Sequence, residues 1–416
     1  MDEELPDGES CEKRAEGAMR PAIRRIALAG LALCCLTGCW DRTEINELAI
    51  VGLVGSEENK ETGASIVYYQ IVNPVAFSQE SGKGGTSPVY TYKVEGESRG
   101  ETGRRSAESL PRKLFTDHYQ THIITEALAR KGLRQFVNFY ERQYNRRSSL
   151  LLFITDSKLS DVMMTYTPLE QLPGRTLRAL VHNTNMSTGR ISLKSRVKDL
   201  VENMESSKCT MLPVISLSDS KPFQTIKRFE TIEANRSNLV LSGVAVIKQD
   251  RMVGRIGLRD NGYYNLLKGE TNTFFQTIKM NNRDIDLFAN KIKVKQSLTQ
   301  AGGVPVWNVK ITANLAIHNN EQMEKLTWEN LSKLTDEFNR EVSETTNQLY
   351  KRALKKEWDL FGLADMIKSK RGSAWKAIQD KEEAWKDTRL NLKVTSSVND
   401  VGEIINPYMG GKASGK

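Results

Sequence analysis

A chain of 416 residues with 60 basic and 51 acidic side chains carries a formal net charge of +9. At about 100–200 residues per domain there is room for two to four domains and a sizeable buried core. Charged residues at 27% and hydrophobic residues at 39% exclude both a disordered tail and a polytopic membrane protein. Five cysteines, four of them within the first 39 residues, are too few and too clustered for a disulfide scaffold.

The N-terminus reads as an export signal. Arg20, Arg24 and Arg25 form a basic region, and Ile26 to Leu36 form an apolar run of 11 residues. A spanning helix needs about 20 apolar residues, so this run suits a signal peptide better than a membrane span. Leu36, Thr37, Gly38 and Cys39 follow, in the pattern of a bacterial lipobox. The Cys39 thiol would take a diacylglyceryl group, and small Gly38 fits the protease pocket before the cut. Cys34 and Cys35 lack a small residue before them. The competing reading is an uncleaved anchor with unrelated cysteines. Residues 1–18 are acidic and foreign to a signal sequence, which leads us to expect translation to start at Met19. Removing residues 1–38, with five basic and seven acidic side chains, leaves 378 residues with 55 basic and 44 acidic groups, a net charge of +11. The two acyl chains of a diacylglyceryl group give stable attachment where one chain does not, and the basic excess favours an anionic leaflet.

Beyond Cys39 the pattern predicts three mixed blocks. In the first, 39–206, strands are expected at Leu48–Gly55, Ser65–Val72 and Tyr90–Val94 from their β-branched and aromatic content. An exposed loop is expected over 78–88, a short helix over 101–110 ending at Pro111, and a strand at His122–Thr125 leading into a helix over 126–144. Ser149–Thr155 reads as a buried central strand, and helices are expected near 174–186 and 195–206. The second block, 207–268, carries a hairpin, Leu239–Ile247 and Met252–Ile256, and a brief helix at Asn261–Leu267. The third, 269–405, has strands at Phe274–Met280, Lys291–Leu298 and Val306–Ile317. A long helix over 323–356 follows, with its apolar stripe on Leu331, Leu334, Phe338, Val342, Thr345, Leu349 and Ala353. A helical stretch with Trp375 and Trp385 and a strand at Arg389–Val398 complete it, and 406–416 reads as a loose tail. The fold class is α+β, in three sheet-and-helix domains behind a cleaved lipoprotein signal peptide.

The mature chain begins Cys39-Trp40-Asp41-Arg42-Thr43-Glu44-Ile45-Asn46-Glu47-Leu48, which resembles the start of the Ger(x)C family, the lipoprotein C subunits of spore germinant receptors. The segments 93–132, 242–254 and 263–270, and Lys356 to Gly362 followed by Trp375 and Trp385, are similar to later parts of the family in the right order. One departure is Leu360, where the family usually has proline after the aspartate, which puts the local turn in doubt. The resemblance implies a non-enzymatic, membrane-tethered protein on the outer face of the inner spore membrane, with receptor A and B subunits as partners and no cofactor. It assigns lipidation to Cys39, signal cleavage to Leu36–Gly38, and the family motif to Trp40, Asp41, Arg42, Glu44, Ile45 and Leu48.

Other chemistries have weaker support. His118 and His122 are spaced four apart, but on a strand that places them about 13 Å apart, and no metalloprotease motif flanks them. Gly96, Gly100 and Gly103 lack the spacing and the following Gly-Lys-Ser/Thr of a phosphate loop, and read as a strand-to-helix turn. Cys209, beside Met211 and Leu212, reads as a buried thiol. Arg104-Arg105, Arg146-Arg147 and Lys355-Lys356 are scattered pairs without the aromatic interleaving of a nucleic-acid site. The long helix reads as core rather than as a docking face. The rival function is a lipid-anchored solute-binding protein, although no two-lobe duplication is visible.

Overall fold

The computed structural model describes residues 43–77, 86–142, 149–219, 221–229, 238–320, 326–381 and 383–402. Leu36–Cys39, Trp40, Asp41 and Arg42 lie outside these residues, as does most of the expected 78–88 loop. The chain divides into two units, Met1–Leu48 and Ala49–Lys416. In the first, Ile45–Glu47 form a single 3-10 turn closed by a capping box between Glu44 and Glu47.

The second unit is built on two sheets. β1 (Leu48–Glu58), β2 (Ser65–Val72) and β3 (Val89–Gly96) form an antiparallel meander. β4 (Lys113–Phe115) pairs with β1. β5 (Thr121–Thr125), β6 (Leu151–Thr155) and β7 (Thr210–Leu217) continue from β1 as parallel strands. β8 (Leu239–Lys248) and β9 (Arg251–Ile256) close the far edge as an antiparallel hairpin. The order is β3-β2-β1-β5-β6-β7-β8-β9, so strands from both the first and the second sequence block share one nine-stranded sheet.

Parallel strands require both faces to be covered, and the sequence alternation supplies two cores. Leu53, Ile123, Phe153 and Ile215 face one core, while their neighbours Val54, Ile124, Ile154 and Val214 face the other. Each such side chain contributes about 1.5–3 kcal/mol on burial. Helices α1 (Arg99–Arg105), α2 (Glu126–Lys131), α3 (Arg134–Glu141), α4 (Leu159–Met163), α5 (Pro173–Thr188) and α6 (Val197–Met204) occupy the connections. The helix expected over 126–144 is two helices. Gly132 breaks it at φ +144, and Leu133 donates its N–H to the Asp250 carbonyl at 2.7 Å, which bends the chain toward the β8–β9 turn. The helix expected over 101–110 ends at Arg105 and gives way to a 3-10 turn at Ser106–Glu108.

α7 (Leu258–Lys268) leads to the second sheet: β10 (Phe274–Met280), β11 (Arg283–Ala301), β12 (Val304–Asn320) and β13 (Arg389–Asp400), with β13 parallel to β12. β11 runs longer than the expected Lys291–Leu298 because register shifts at Asp286/Leu287 and Asn290/Lys293 keep it paired through both irregularities. α8 (Trp328–Lys355) lies on this sheet. Its buried stripe holds Leu334, Phe338, Val342, Leu349 and Ala353 as expected, with Thr346 rather than Thr345 and with Tyr350 added, while the expected Leu331 is only half-buried. α9 (Leu363–Lys368), α10 (Ser373–Gln379) and a 3-10 turn at Ala384–Asp387 divide the expected Trp375–Trp385 stretch. The mixture of parallel and antiparallel strands with helices is α+β.

Candidate functional site

The sequence candidates for chemistry resolve into structural roles. His122, on β5, is buried; its ring nitrogens meet Ser56 Oγ at 2.8 Å and the Tyr119 hydroxyl at 3.2 Å, and Phe136 packs edge-on at 4.8 Å. His118 lies before the strand and stacks on Phe115 at 5.2 Å. Among the described residues no group of three or more His, Cys, Asp or Glu side chains is arranged to hold a metal. In the glycine-rich turn, Ser98 caps α1 by accepting the Glu101 N–H at 3.2 Å. Gly96 backs so closely on Thr102 that a Cβ there would meet its nitrogen at 3.2 Å.

Cys209 is buried beside the segment 357–363. Burial, reinforced by nearby Asp359, pushes its thiol up to about 12. The Cys209 N–H donates to the Asp359 carbonyl at 2.9 Å. The Asp359 carboxylate accepts the N–H groups of Leu363 and Ala364 at 2.8 and 3.0 Å, and the Ser207 hydroxyl at 3.2 Å. One carboxylate thus satisfies two orphan donors at the start of α9 and fastens the loop before β7. Leu360 is fully buried and donates its N–H to the Trp358 carbonyl at 2.8 Å, a bond that proline could not make. Phe361 packs, with its ring tilted, against Trp307, Tyr264 and Tyr350 at 5.0, 5.7 and 5.8 Å. Trp358 covers Gly254 on β9, Lys248 Nζ donates to the Glu357 carbonyl at 3.1 Å, and Lys268 Nζ donates to the Phe361 carbonyl at 3.0 Å. Burial, with Lys208 nearby, lowers the Lys268 ammonium to about 8. The segment 357–363 is therefore a lock joining the far edge of the first sheet to the core of the second.

A cleft of about 1000 Å³ opens where β1, β5 and β6 begin and β2 ends. α5 forms one wall, held close because Gly174 lies on the Gly52 carbonyl; a Cβ there would sit 2.6 Å from that oxygen. Arg175, Arg178, Arg196, His118 and His182 line it, with Glu170 as an acidic member. Arg178 donates to the Gln120 side chain, Arg175 lies 3.7 Å from Glu170, and Arg196 makes a two-pronged pair with Asp199 at 2.9 Å. Sequence reasoning missed this cleft, because its residues come from seven separated segments. Of the family-motif residues, Glu44 and Ile45 belong to the 3-10 turn and Leu48 opens β1.

Two family models match the chain in succession. The N-terminal domain model of spore germination proteins matches residues 41–217, and the spore germination B3/GerAC-like C-terminal model matches 242–402. Among relatives from Bacillus subtilis (strain 168), YfkR is 31% identical over 239 residues, covering 56% of this chain and 58% of YfkR. Spore germination protein KC, from the same organism, is 22% identical over 410 residues, covering 92% of this chain and 98% of KC. The crystal structure of the GerBC protein superposes with a TM-score of 0.54 at 15% identity, covering 83% of this chain and 97% of that one, a likeness of fold. No helix among the described residues is long and apolar enough to cross a membrane. With both halves of the chain matched in order, the protein belongs to the Ger(x)C family of spore germination proteins.

Proposed function

We propose that this chain is the lipid-anchored C subunit of a nutrient germinant receptor. It is held on the outer face of the inner spore membrane through Cys39 and acts with A and B subunits by contact rather than by catalysis. The observation that carries this reading is one of position. The family match starts at residue 41, two residues after Cys39, so the lipobox Leu36–Cys39 falls at the junction of leader and family domain. Two acyl chains on one thiol supply stable attachment without a spanning helix. In sequence, Trp40, Asp41 and Arg42 follow directly on Cys39.

The test is Cys39→Ala in spores. The variant is expected to leave the membrane fraction and to impair nutrient-triggered germination; normal membrane retention overturns the anchor. For the partners, a tagged chain purified in mild detergent is expected to bring A-like and B-like subunits with it, and their absence overturns the assembly. A solute-binding role has less support, since the nine-stranded and four-stranded sheets are not two copies of one lobe.

A further inference from the structure

The end of the first sheet at which β1 begins carries an uncommon surface. Three large apolar side chains project from neighbouring loops there: Val75 and Phe77, just past β2, are 61% and 49% exposed, and Leu169, before α5, is 97% exposed. Leu193, on the cleft wall, is 46% exposed. These loops are tied together. The Asn73 side chain donates to the Ser87 carbonyl at 2.8 Å, and the Ser87 hydroxyl meets the Tyr166 hydroxyl, so the segment after β2, the approach to β3 and the 164–172 loop share one end of the sheet. Isolated exposed apolar residues need no explanation, but several on adjoining loops at one end of a sheet, beside a cleft, do.

The same mouth is basic. Arg175 and Arg178 are exposed on the first turns of α5; Arg196, His118 and His182 lie within the cleft, and Glu170 is the acidic residue among its lining. Apolar side chains beside guanidinium groups are the composition of a surface that sits in a lipid headgroup layer. The apolar groups reach the acyl boundary, and the cations meet phosphates.

Chain length selects the occupant. Ala49 on β1 is ten residue steps beyond Cys39, and ten steps span at most about 35 Å. A lipid on Cys39 therefore confines the start of β1 to within that distance of the bilayer, and the apolar and basic mouth surrounds the start of β1. We propose that this mouth is a membrane-docking face. Val75, Phe77 and Leu169 enter the headgroup region of an anionic leaflet, and Arg175 and Arg178 bind lipid phosphates, so the body is oriented on the bilayer rather than swinging on its tether. The proposal rests on the Cys39 anchor and adds to it a specific surface.

The experiment uses the full-length lipidated protein in phosphatidylglycerol-containing vesicles, with an environment-sensitive fluorophore on Phe77→Cys or Leu169→Cys. The buried Cys209 leaves the introduced thiol as the reactive one. Val253→Cys, on β9 at the opposite edge of the sheet, is the comparison site. Docking predicts blue-shifted emission and quenching by doxyl lipids at 77 and 169 but not at 253. It also predicts loss of that quenching in Arg175→Gln/Arg178→Gln and in phosphatidylcholine vesicles. Flotation separates the two readings. Protein that floats with probes at 77 and 169 still aqueous overturns the docking face and leaves the anchor standing. Protein that does not float overturns the anchor, and the docking face falls with it. Equal quenching at 253, or protection at 77 and 169 only when A-like and B-like subunits are added, also overturns the proposal, the latter in favour of a protein interface.

Discussion

The indole of Trp358 lies on Gly254 with no room for a side chain between them: a Cβ built on Gly254 would overlap ring atoms Cζ2 and Cη2. Trp358 is 7% exposed, and the Lys356 ammonium sits over the same ring at 4.5 Å. This pair closes the lock between the two sheets, and its removal has a measurable cost. Gly254→Val is expected to expel the indole and lower stability by about 3 kcal/mol, the scale of losing a packed aromatic side chain. Urea unfolding would show this as a lower midpoint with red-shifted tryptophan emission. Adding Trp358→Leu to the same chain is expected to recover part of the loss, because the clashing ring is gone.

Asp359 gives a second, graded prediction. Its carboxylate caps α9 through Leu363 and Ala364 and holds Ser207. Asp359→Ala strands those donors and should cost about 1–3 kcal/mol. Asp359→Asn keeps one carbonyl acceptor and should cost less. Thermal unfolding of the two variants checks the order, and equal losses would contradict the capping role.

Cys209 is expected to be silent toward thiol reagents. Burial and a thiol pushed up to about 12 leave little thiolate at pH 8. Native protein should take up no iodoacetamide at this position, and urea-unfolded protein should take up one equivalent there. Mass spectrometry of the tryptic peptide reads both values.

Lys268 predicts a pH dependence. Its ammonium is lowered from 10.5 to about 8 in the folded chain. Between these values the unfolded chain still holds a proton that the native chain has released. Stability contributed by this group therefore rises with pH through that window and is absent below it. Lys268→Met should flatten the rise. Urea midpoints of wild type and variant at pH 7, 9 and 10 test this; parallel curves would refute the assignment.

Much of the fold was legible where one periodicity dominated. β2 has the limits expected from Ser65–Val72, and the α8 stripe was visible from Leu334 to Ala353 because its period holds for the whole helix. β7 was not expected, for a local reason. Pro213 sits inside Thr210–Leu217 and argues against a strand, yet the pairs with β6 begin only at Val214. The break at Gly132 was hidden because it depends on the Asp250 carbonyl, more than a hundred residues away in sequence. The basic cleft was invisible for the same kind of reason: Arg175, Gln120 and Gly52 become neighbours only when α5 closes on β1. The lock was half legible. The segment KEWDLFG stood out as a motif, but nothing in its residues announced that Asp359 would fasten the loop before β7.

The parallel pairing of β12 with β13 has a consequence for how the protein is made. Val306 lies beside Arg389, so the long helix and two short ones must be synthesised before the second sheet gains its last strand. Until then part of the apolar face of α8 has nothing to rest on. Such distant pairing slows folding and lengthens the exposure of sticky surface. A nonsense change shortly before Arg389 would thus act as an assembly defect rather than as the loss of a dispensable tail, and the half-finished chain would be a substrate for proteases before its second sheet could close.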